Sequence, residues 1–360
     1  MDRKKIMLIM HDINYGGAAK MFTFLANGLS EAGNDVYVYT FEGMKPNYSL
    51  SPRIKFIPAK AIPRNLVYRR LLPFVQVRKT IKKVKPDVVI PFLPNANLYS
   101  YIGTVLTKTS LIITERSDPF YERGLLMDIK RFFYRFADGA VFQTEGARDY
   151  YGNILQKKGI VIPNPVTIEK KKRIPNNKKK NEIAFVARFD IKQKRQDVMI
   201  SAFQRVAEVN PDVKLVFYGD GNDMRKIKDM VDELNLTDRV VFLGKVNNIL
   251  DVIQSSRLYV STSDYEGISN SLIEAMSIGL PVVSTDCSPG GARMLIENEV
   301  NGILVPTGDA EMIAKSIIFL LKNSEVADGL GEKAQMIIDR FNPEKIIKLW
   351  DDYIDGIVKK

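Results

Sequence analysis

The chain has a single cysteine, Cys287, and a single histidine, His11, in 360 residues. One thiol excludes an internal disulfide framework and a cysteine-rich metal site, and it fits a reducing, cytoplasmic setting. One histidine leaves no strong general base of the histidine type. Long apolar runs are also absent. No stretch reaches the roughly 18 residues that a membrane-spanning helix requires, so any membrane association is expected to be peripheral. The apolar run Ile6 to Met10 is too short for the core of a signal peptide before His11 and Asp12 interrupt it. From Gly43 to Pro86 there is no Asp or Glu, although Arg53, Lys55, Arg69, Arg70, Arg78, Lys79, Lys82, Lys83 and Lys85 fall inside that stretch.

What is present is ordinary for a soluble protein in bulk, with 45% hydrophobic and 26% charged residues. The length favours two domains. A formal net charge of +11, from 53 Lys and Arg against 42 Asp and Glu, favours anionic partners. Charge alone does not choose among phosphorylated substrates, acidic membrane surfaces and nucleic acid. No nucleic-acid module or aromatic-basic signature is present, so no nucleic-acid partner is expected. Apolar residues such as Leu71, Leu72, Phe74 and Val75 interleave with the cations of residues 53–85. That segment suits an anionic bilayer, and equally a helix packed on its own sheet with a solvated cationic rim.

Short apolar runs alternate with longer amphipathic segments, the pattern of βα units and parallel sheets. The first half reads as strands at IMLIM, VYVYT, IKFI, DVVIPF, LIIT, GAVFQ and GIVIP. The second half restarts with EIAFVARF, KLVFYG, RVVFLG, RLYVST, PVVST and GILV, and closes on consecutive helices. The fold class is therefore α/β, with two doubly wound Rossmann-like domains: residues 1–165, a basic linker at 166–180, and residues 181–341. Ligands in such folds bind at the carboxyl ends of the strands.

One of those strand ends carries two acids. In DYEGISNSLIEAM, Glu266 and Glu274 stand on either side of a glycine-bearing segment that leads from the strand RLYVST into a helix. Ser269 or Asn270 suits the N-cap, and Gly279 followed by Pro281 suits the stop. Exposed amides of the first turn, at about Asn270 to Leu272, favour an anion. Glu274 lies one turn further, and helical side chains lean toward the N-terminus, so both acids can flank a ligand whose phosphates rest on the helix end. A carboxylate accepts well from vicinal hydroxyls. Dipole-driven placement of acids near helix starts would produce the same spacing without a ligand.

The segment DYEGISNSLIEAMSIGLPVVSTDCSPGG resembles the most characteristic part of the retaining glycosyltransferases of family 4, which have the two-domain GT-B fold. The resemblance is strongest over residues 181–306. It implies an enzyme that moves a sugar from a nucleotide-diphosphate donor, with UDP-hexose or UDP-N-acetylhexosamine expected, to a glycan or lipid-linked acceptor in cell-surface polysaccharide or glycolipid assembly. Glu266 would approach the donor sugar and Glu274 the ribose. The stretch Gly267, Ile268, Ser269, Asn270, Ser271 and Leu272 would hold the diphosphate. No metal or other cofactor is implied. The helix at 342–360 is expected to pack back on the first domain, and the enzyme to sit on the inner face of the plasma membrane.

Other motifs fall into place on that resemblance. In VARFDIKQKRQDV, Arg188 and Lys194 match the family's cation pair at a strand end, suited to neutralising a departing diphosphate. The loop is one residue longer than the commonest spacing, which leaves Lys192 and Arg195 as alternatives to Lys194. Gly16 and Gly17 would approach the donor from the first domain, although a tight turn alone explains a Gly-Gly pair. The loops at Gly219 and Val246 would border the donor. Asp220 and Asp223 read as turn chemistry rather than metal ligands. The family commonly carries an acid where Met294 stands here. It also commonly carries a histidine near the donor sugar, on a strand end of the first domain that here reads ERSDPF. Glu115, Arg116 and Asp118, together with His11, are the candidates on the acceptor side.

Overall fold

A computed structural model describes residues 3–13, 17–41, 48–59, 66–168 and 170–358, with the side chains of 66–70 outside the description. The chain divides into two compact units, Met1–Asn164 with Pro343–Lys360, and Pro165–Asn342.

The first unit runs β1 (Lys5–Met10), α1 (Gly17–Glu31), β2 (Asp35–Thr40), β3 (Lys55–Pro58), α2 (Leu66–Val84), β4 (Val88–Pro91) and α3 (Pro94–Thr104). It continues through β5 (Ser110–Glu115), α4 (Leu125–Tyr134), β6 (Gly139–Phe142), α5 (Glu145–Asp149), α6 (Asn153–Lys158) and β7 (Gly159–Val161). All strand pairs are parallel, in the order β3-β2-β1-β4-β5-β6-β7. Ile6, Met7, Leu8 and Ile9 of β1 are fully buried. A central strand covered on both faces needs a continuous apolar run rather than alternation, which is why this strand was plain in the sequence.

The second unit holds β8 (Lys180–Val186), α7 (Ile191–Lys194), α8 (Gln196–Val209), β9 (Lys214–Tyr218), α9 (Met224–Glu233), β10 (Val240–Phe242), α10 (Ile249–Ile253) and β11 (Ser256–Ser261). After these come α11 (Asn270–Ser277), β12 (Val282–Thr285), α12 (Gly291–Leu295), β13 (Ile303–Val305), α13 (Ala310–Lys322), α14 (Ser324–Gln335) and α15 (Ile337–Arg340). Its six strands are parallel in the order β10-β9-β8-β11-β12-β13. The sequence reversal between β8 and β11 is the switch point at which doubly wound sheets bind ligands. The two sheets have seven and six strands, one for each apolar run read from the sequence.

Composition reads 166–180 as a linker, but the segment lies in the second unit. Arg173 donates to the Asp328 carboxylate at 3.0 Å, and the Asn176 side chain donates to the carbonyl of Arg257 at 2.9 Å. The last helix, α16 (Pro343–Val358), groups with the first unit. Asp351 pairs with Lys4 at 2.9 Å and accepts from Asn34 at 3.0 Å, while Tyr353 Oη accepts from the Ala140 amide at 2.9 Å. Trp350 and Ile354 of this helix are buried.

Candidate active site

The carboxyl ends of β8, β11 and β12 carry the site. After β8 the chain turns through Arg188 to Asp190, whose side chain caps α7 by accepting from the Gln193 amide at 3.3 Å. The four residues of α7 end at Arg195, held in the left-handed region at φ 49°. That reversal turns Lys194 and Arg195 toward different acids. Lys194 Nζ pairs with Glu266 Oε1 at 2.6 Å, with side chains only 12% and 20% exposed. Arg195 pairs with Asp264 at 2.6 Å and with Asp197 at 3.1 Å. The hydrogen bonds Arg195 donates to Asp197 and Asp264 raise its pKa against the effect of burial.

Several contacts fix the Glu266 loop. Ser263 Oγ donates to Glu266 Oε2 at 3.1 Å, the Glu266 amide donates to the Ser288 carbonyl at 2.9 Å, and Thr262 Oγ1 donates to the Lys194 carbonyl at 2.8 Å. Gln193 donates to the Tyr265 carbonyl at 3.2 Å and accepts from Arg188 at 2.6 Å, so one amide side chain ties Arg188 to this loop. Arg188 also meets Asp190 at 3.0 Å and stays 65% exposed, open to an incoming anion.

Ser269 caps α11, its Oγ accepting from the Leu272 amide at 3.4 Å. The amides of Asn270 and Ser271 lie ahead of that bond, where no helical carbonyl can accept from them. A hydroxyl chain holds this first turn, with Tyr259 Oη 2.9 Å from Ser271 Oγ and Ser271 Oγ 3.2 Å from Ser269 Oγ. Burial pushes the Tyr259 phenol well above its usual pKa, so it stays a neutral hydrogen-bonding partner. Leu272, Ile273, Ala275 and Met276 bury one side of α11, and Glu274 stays half-buried one turn in from the N-terminus.

Two glycines set how closely the loops of this site approach one another. An added Cβ on Gly291 would stand 1.6 Å from the Gly267 carbonyl oxygen, so α12 can abut the Glu266 loop only without a side chain there. Gly291→Ala is expected to lower stability by about 2–3 kcal/mol and to displace the loop, read as a fall in melting temperature together with loss of nucleotide-dependent stabilisation. Gly219, at φ 134°, has its amide bonded to the Gly244 carbonyl at 2.8 Å, which fastens the loops after β9 and β10 side by side with half-buried Val246 in the second of them.

Asp220 and Asp223 serve the local backbone. Asp220 accepts from the Gly221 amide at 2.8 Å, and Asp223 accepts from the Ile191 amide at 3.0 Å. Among the described residues, no group of three or more His, Cys, Asp or Glu could hold a metal ion. Met294 lies half-buried on α12 beside Arg293, which makes a two-point pair with Asp286 at 2.8 Å.

The candidates of the first unit separate. Gly16 lies outside the described residues, and Gly17 opens α1. His11 is exposed just after β1, edge-on to Phe41 at 6.0 Å, and borders a cavity of about 410 Å³ with Phe92 and Tyr99. Arg116 lies over the Phe92 ring at 4.5 Å and donates to Asn164 at 3.0 Å, and burial lowers its pKa to about 10. Glu115 departs from its expected place facing an acceptor. It is 1% exposed, accepts from Tyr151 Oη and, at 2.8 Å, from Ser117 Oγ, and pairs with Arg131 at 3.5 Å. Asp118 is buried too and accepts from the Phe120 amide at 2.8 Å. Both acids brace the loop between β5 and α4 instead of facing outward. Sequence reasoning missed Ser263, and also Gln193 and Thr262, whose partners Tyr265 and Lys194 lie in distant segments.

Comparison with known proteins places the whole chain. Residues 166–336 match the model for glycosyl transferases group 1, and residues 15–170 match the glycosyltransferase family 4 model. An uncharacterized glycosyltransferase of Haemophilus influenzae is 26% identical over 96% of this chain and 99% of its own length. A Campylobacter jejuni enzyme named for alpha-1,4-N-acetyl-D-galactosaminyl transfer to a saccharide on PP-undecaprenol is 25% identical over 96% of this chain and 97% of its own. HepE of Anabaena, solved in complex with UDP and glucose, superposes with a TM-score of 0.81 at 18% identity, covering 98% of this chain and 100% of that one. With its two parallel sheets matching GT-B structures and both family models spanning it in turn, the chain belongs to the retaining glycosyltransferases of family 4.

Proposed function

We propose that the protein transfers a sugar, with retention of configuration, from a UDP-sugar to a glycan or lipid-linked saccharide acceptor in cell-surface polysaccharide or glycolipid assembly. The observation that carries this reading is the Lys194–Glu266 pair at 2.6 Å, set between two strand ends beside the N-terminus of α11. The Campylobacter relative's lipid-linked acceptor and the UDP bound by HepE are consistent with the donor and acceptor classes.

Each residue then has a task. The α11 amides and the cations Arg188 and Lys194 receive the diphosphate, Glu274 accepts from the ribose hydroxyls, and Glu266 stands at the sugar. Gly219 and Val246 border the donor in the second unit. As the bond from the sugar C1 to the diphosphate oxygen breaks, the positive charge on the sugar ring is stabilised by Glu266. Negative charge on the leaving oxygen is met by Lys194 and Arg188, the work a divalent cation does in other enzymes. The acceptor hydroxyl attacks C1 from the face the diphosphate leaves, and its proton passes to a diphosphate oxygen. No histidine base is needed. His11 and Arg116 remain candidates for orienting the acceptor. Attachment is peripheral, at an anionic membrane surface reached through residues 53–85.

A panel of UDP-, GDP- and ADP-sugars tests the donor. UDP compounds should stabilise the fold by about 2.7 kcal/mol at a hundredfold excess over Kd, read as a rise in melting temperature, and the other nucleotides should not. Stabilisation without sugar transfer or hydrolysis would mark a nucleotide-sugar or anionic-glycan binding protein instead.

A further inference from the structure

We infer that α4, together with flanking parts of α2 and α3, forms a bilayer-docking face selective for anionic lipid. The inward side of α4 is conventional: Arg131 and Tyr134 are buried and Met127 half-buried, three positions at helical spacing. An amphipathic helix should be polar on its other side. Here that side is apolar. Leu125, Ile129, Phe132 and Phe136 recur at steps of four, three and four residues along one stripe, all exposed, with Leu125 78% exposed and the adjacent Leu126 75%.

The stripe extends onto the neighbouring helices. Tyr101 of α3 stacks on Phe136 at 5.7 Å, and just beyond α3 stand Val105 and Leu106, the latter 94% exposed. Arg78 of α2 donates to the Val105 carbonyl at 2.8 Å, and α2 exposes Leu71 and Val75 on its outer side. Single exposed apolar side chains need no explanation, but an aligned ribbon across three adjacent helices does.

Charge decides what covers the ribbon. Lys79, Lys82 and Lys83 lie exposed along α2, and Arg123 and Arg135 stand at either end of α4. The Arg135 guanidinium lies over the Phe132 ring at 4.3 Å, so its stem follows apolar surface while its head can meet a phosphate. Glu122 and Asp128 are exposed as well, and α2 carries no acid. An apolar ribbon with a net cationic rim fits the headgroup boundary of an anionic bilayer. A second copy of this chain would set the same lysine row against a like-charged face. Sequence patterning left residues 53–85 open between a membrane contact and a packed helix with a solvated cationic rim; the apolar ribbon of α4 adds to the first reading. Pro73 of α2 and Met127 and Lys130 of α4 also line the cavity that His11 borders. A bilayer held on these helices would lie beside that cavity, in reach of a lipid-linked acceptor. Docking rests on exposure and charge, and only this link to the acceptor rests on the proposed transfer reaction.

Flotation of the full chain with vesicles of phosphatidylcholine, alone or mixed with phosphatidylglycerol, tests the proposal. The wild type should float with anionic vesicles and not neutral ones, and added salt should weaken binding. Ile129→Glu with Phe132→Glu should lower vesicle affinity by on the order of tenfold or more. Lys79→Gln, Lys82→Gln and Lys83→Gln together should weaken it and flatten its salt dependence. Unchanged melting temperature and unchanged UDP stabilisation in both variants would show an intact fold. Equal binding by the Ile129→Glu/Phe132→Glu variant, or no preference for anionic lipid, overturns the proposal. So does a dimer in sedimentation that this variant dissolves, with no vesicle binding by either protein. Vesicle binding that persists where no UDP-sugar is turned over would overturn the transfer reading alone.

Discussion

Replacing Glu266 with Gln should reduce sugar transfer by on the order of 10²–10³ in rate while UDP still raises the melting temperature. The substitution keeps the shape of the side chain, the Ser263 contact and the backbone bond from the Glu266 amide to Ser288. What it removes is the negative charge beside the reacting sugar. Positive charge grows on the sugar only as the bond to diphosphate breaks, so the effect belongs in kcat and barely in donor affinity. The pair with Lys194 is lost too, but both groups are at least 80% buried by side-chain exposures of 12% and 20%, and the amide can still accept from the ammonium. Transfer assays with the best donor of the panel, run beside thermal shifts, separate the two effects. Wild-type turnover in this variant would remove Glu266 from the chemistry.

Lys194→Ala should act differently, lowering kcat/KM by on the order of 10²–10³ and weakening UDP binding as well. Diphosphate is anionic before and after the bond breaks, so a cation that meets it contributes to both ground state and transition state. The neighbouring cations do not replace it. Arg195 is committed to Asp264 and Asp197, and its left-handed backbone turns it away from the Glu266 carboxylate. Lys192→Ala should leave transfer near the wild-type rate. A larger loss from Lys192→Ala than from Lys194→Ala, in the same assay, would reassign the position.

The central strands were legible because a parallel strand covered on both faces is written as an unbroken apolar run, such as Ile6 to Met10 of β1 or Val88 to Pro91 of β4. The start of α11 was legible for the same kind of reason: capping serine and strand end lie within a dozen residues of one another. Features that depend on partners far along the chain were not legible. Glu115 and Tyr151 are 36 residues apart, and nothing near Glu115 announces that its carboxylate is already taken. Residues 166–180 look like a linker because their partners, Asp328 and the Arg257 carbonyl, come much later. Helical spacing along α4 cannot say that its apolar stripe faces outward, since buried and exposed stripes share one spacing. The long loop before α8 left three cations open, and only the reversal at Arg195 told them apart.

The return of α16 to the first unit makes the second unit an insertion. The chain enters it at Pro165 and leaves it at Asn342, and the Val166 amide bonds to the Phe341 carbonyl at 2.8 Å, so the two crossings lie side by side. The inserted unit is continuous in sequence and can complete its core while the chain is still being synthesised. The first unit cannot. Its Lys4 waits for Asp351 and Asp355, the latter made 351 residues later. At roughly 5–20 residues per second, the first seven strands stand for tens of seconds without the helix that covers Asn34 and Ala140. The order of assembly is thus the reverse of the order of synthesis: the unit that begins first finishes last.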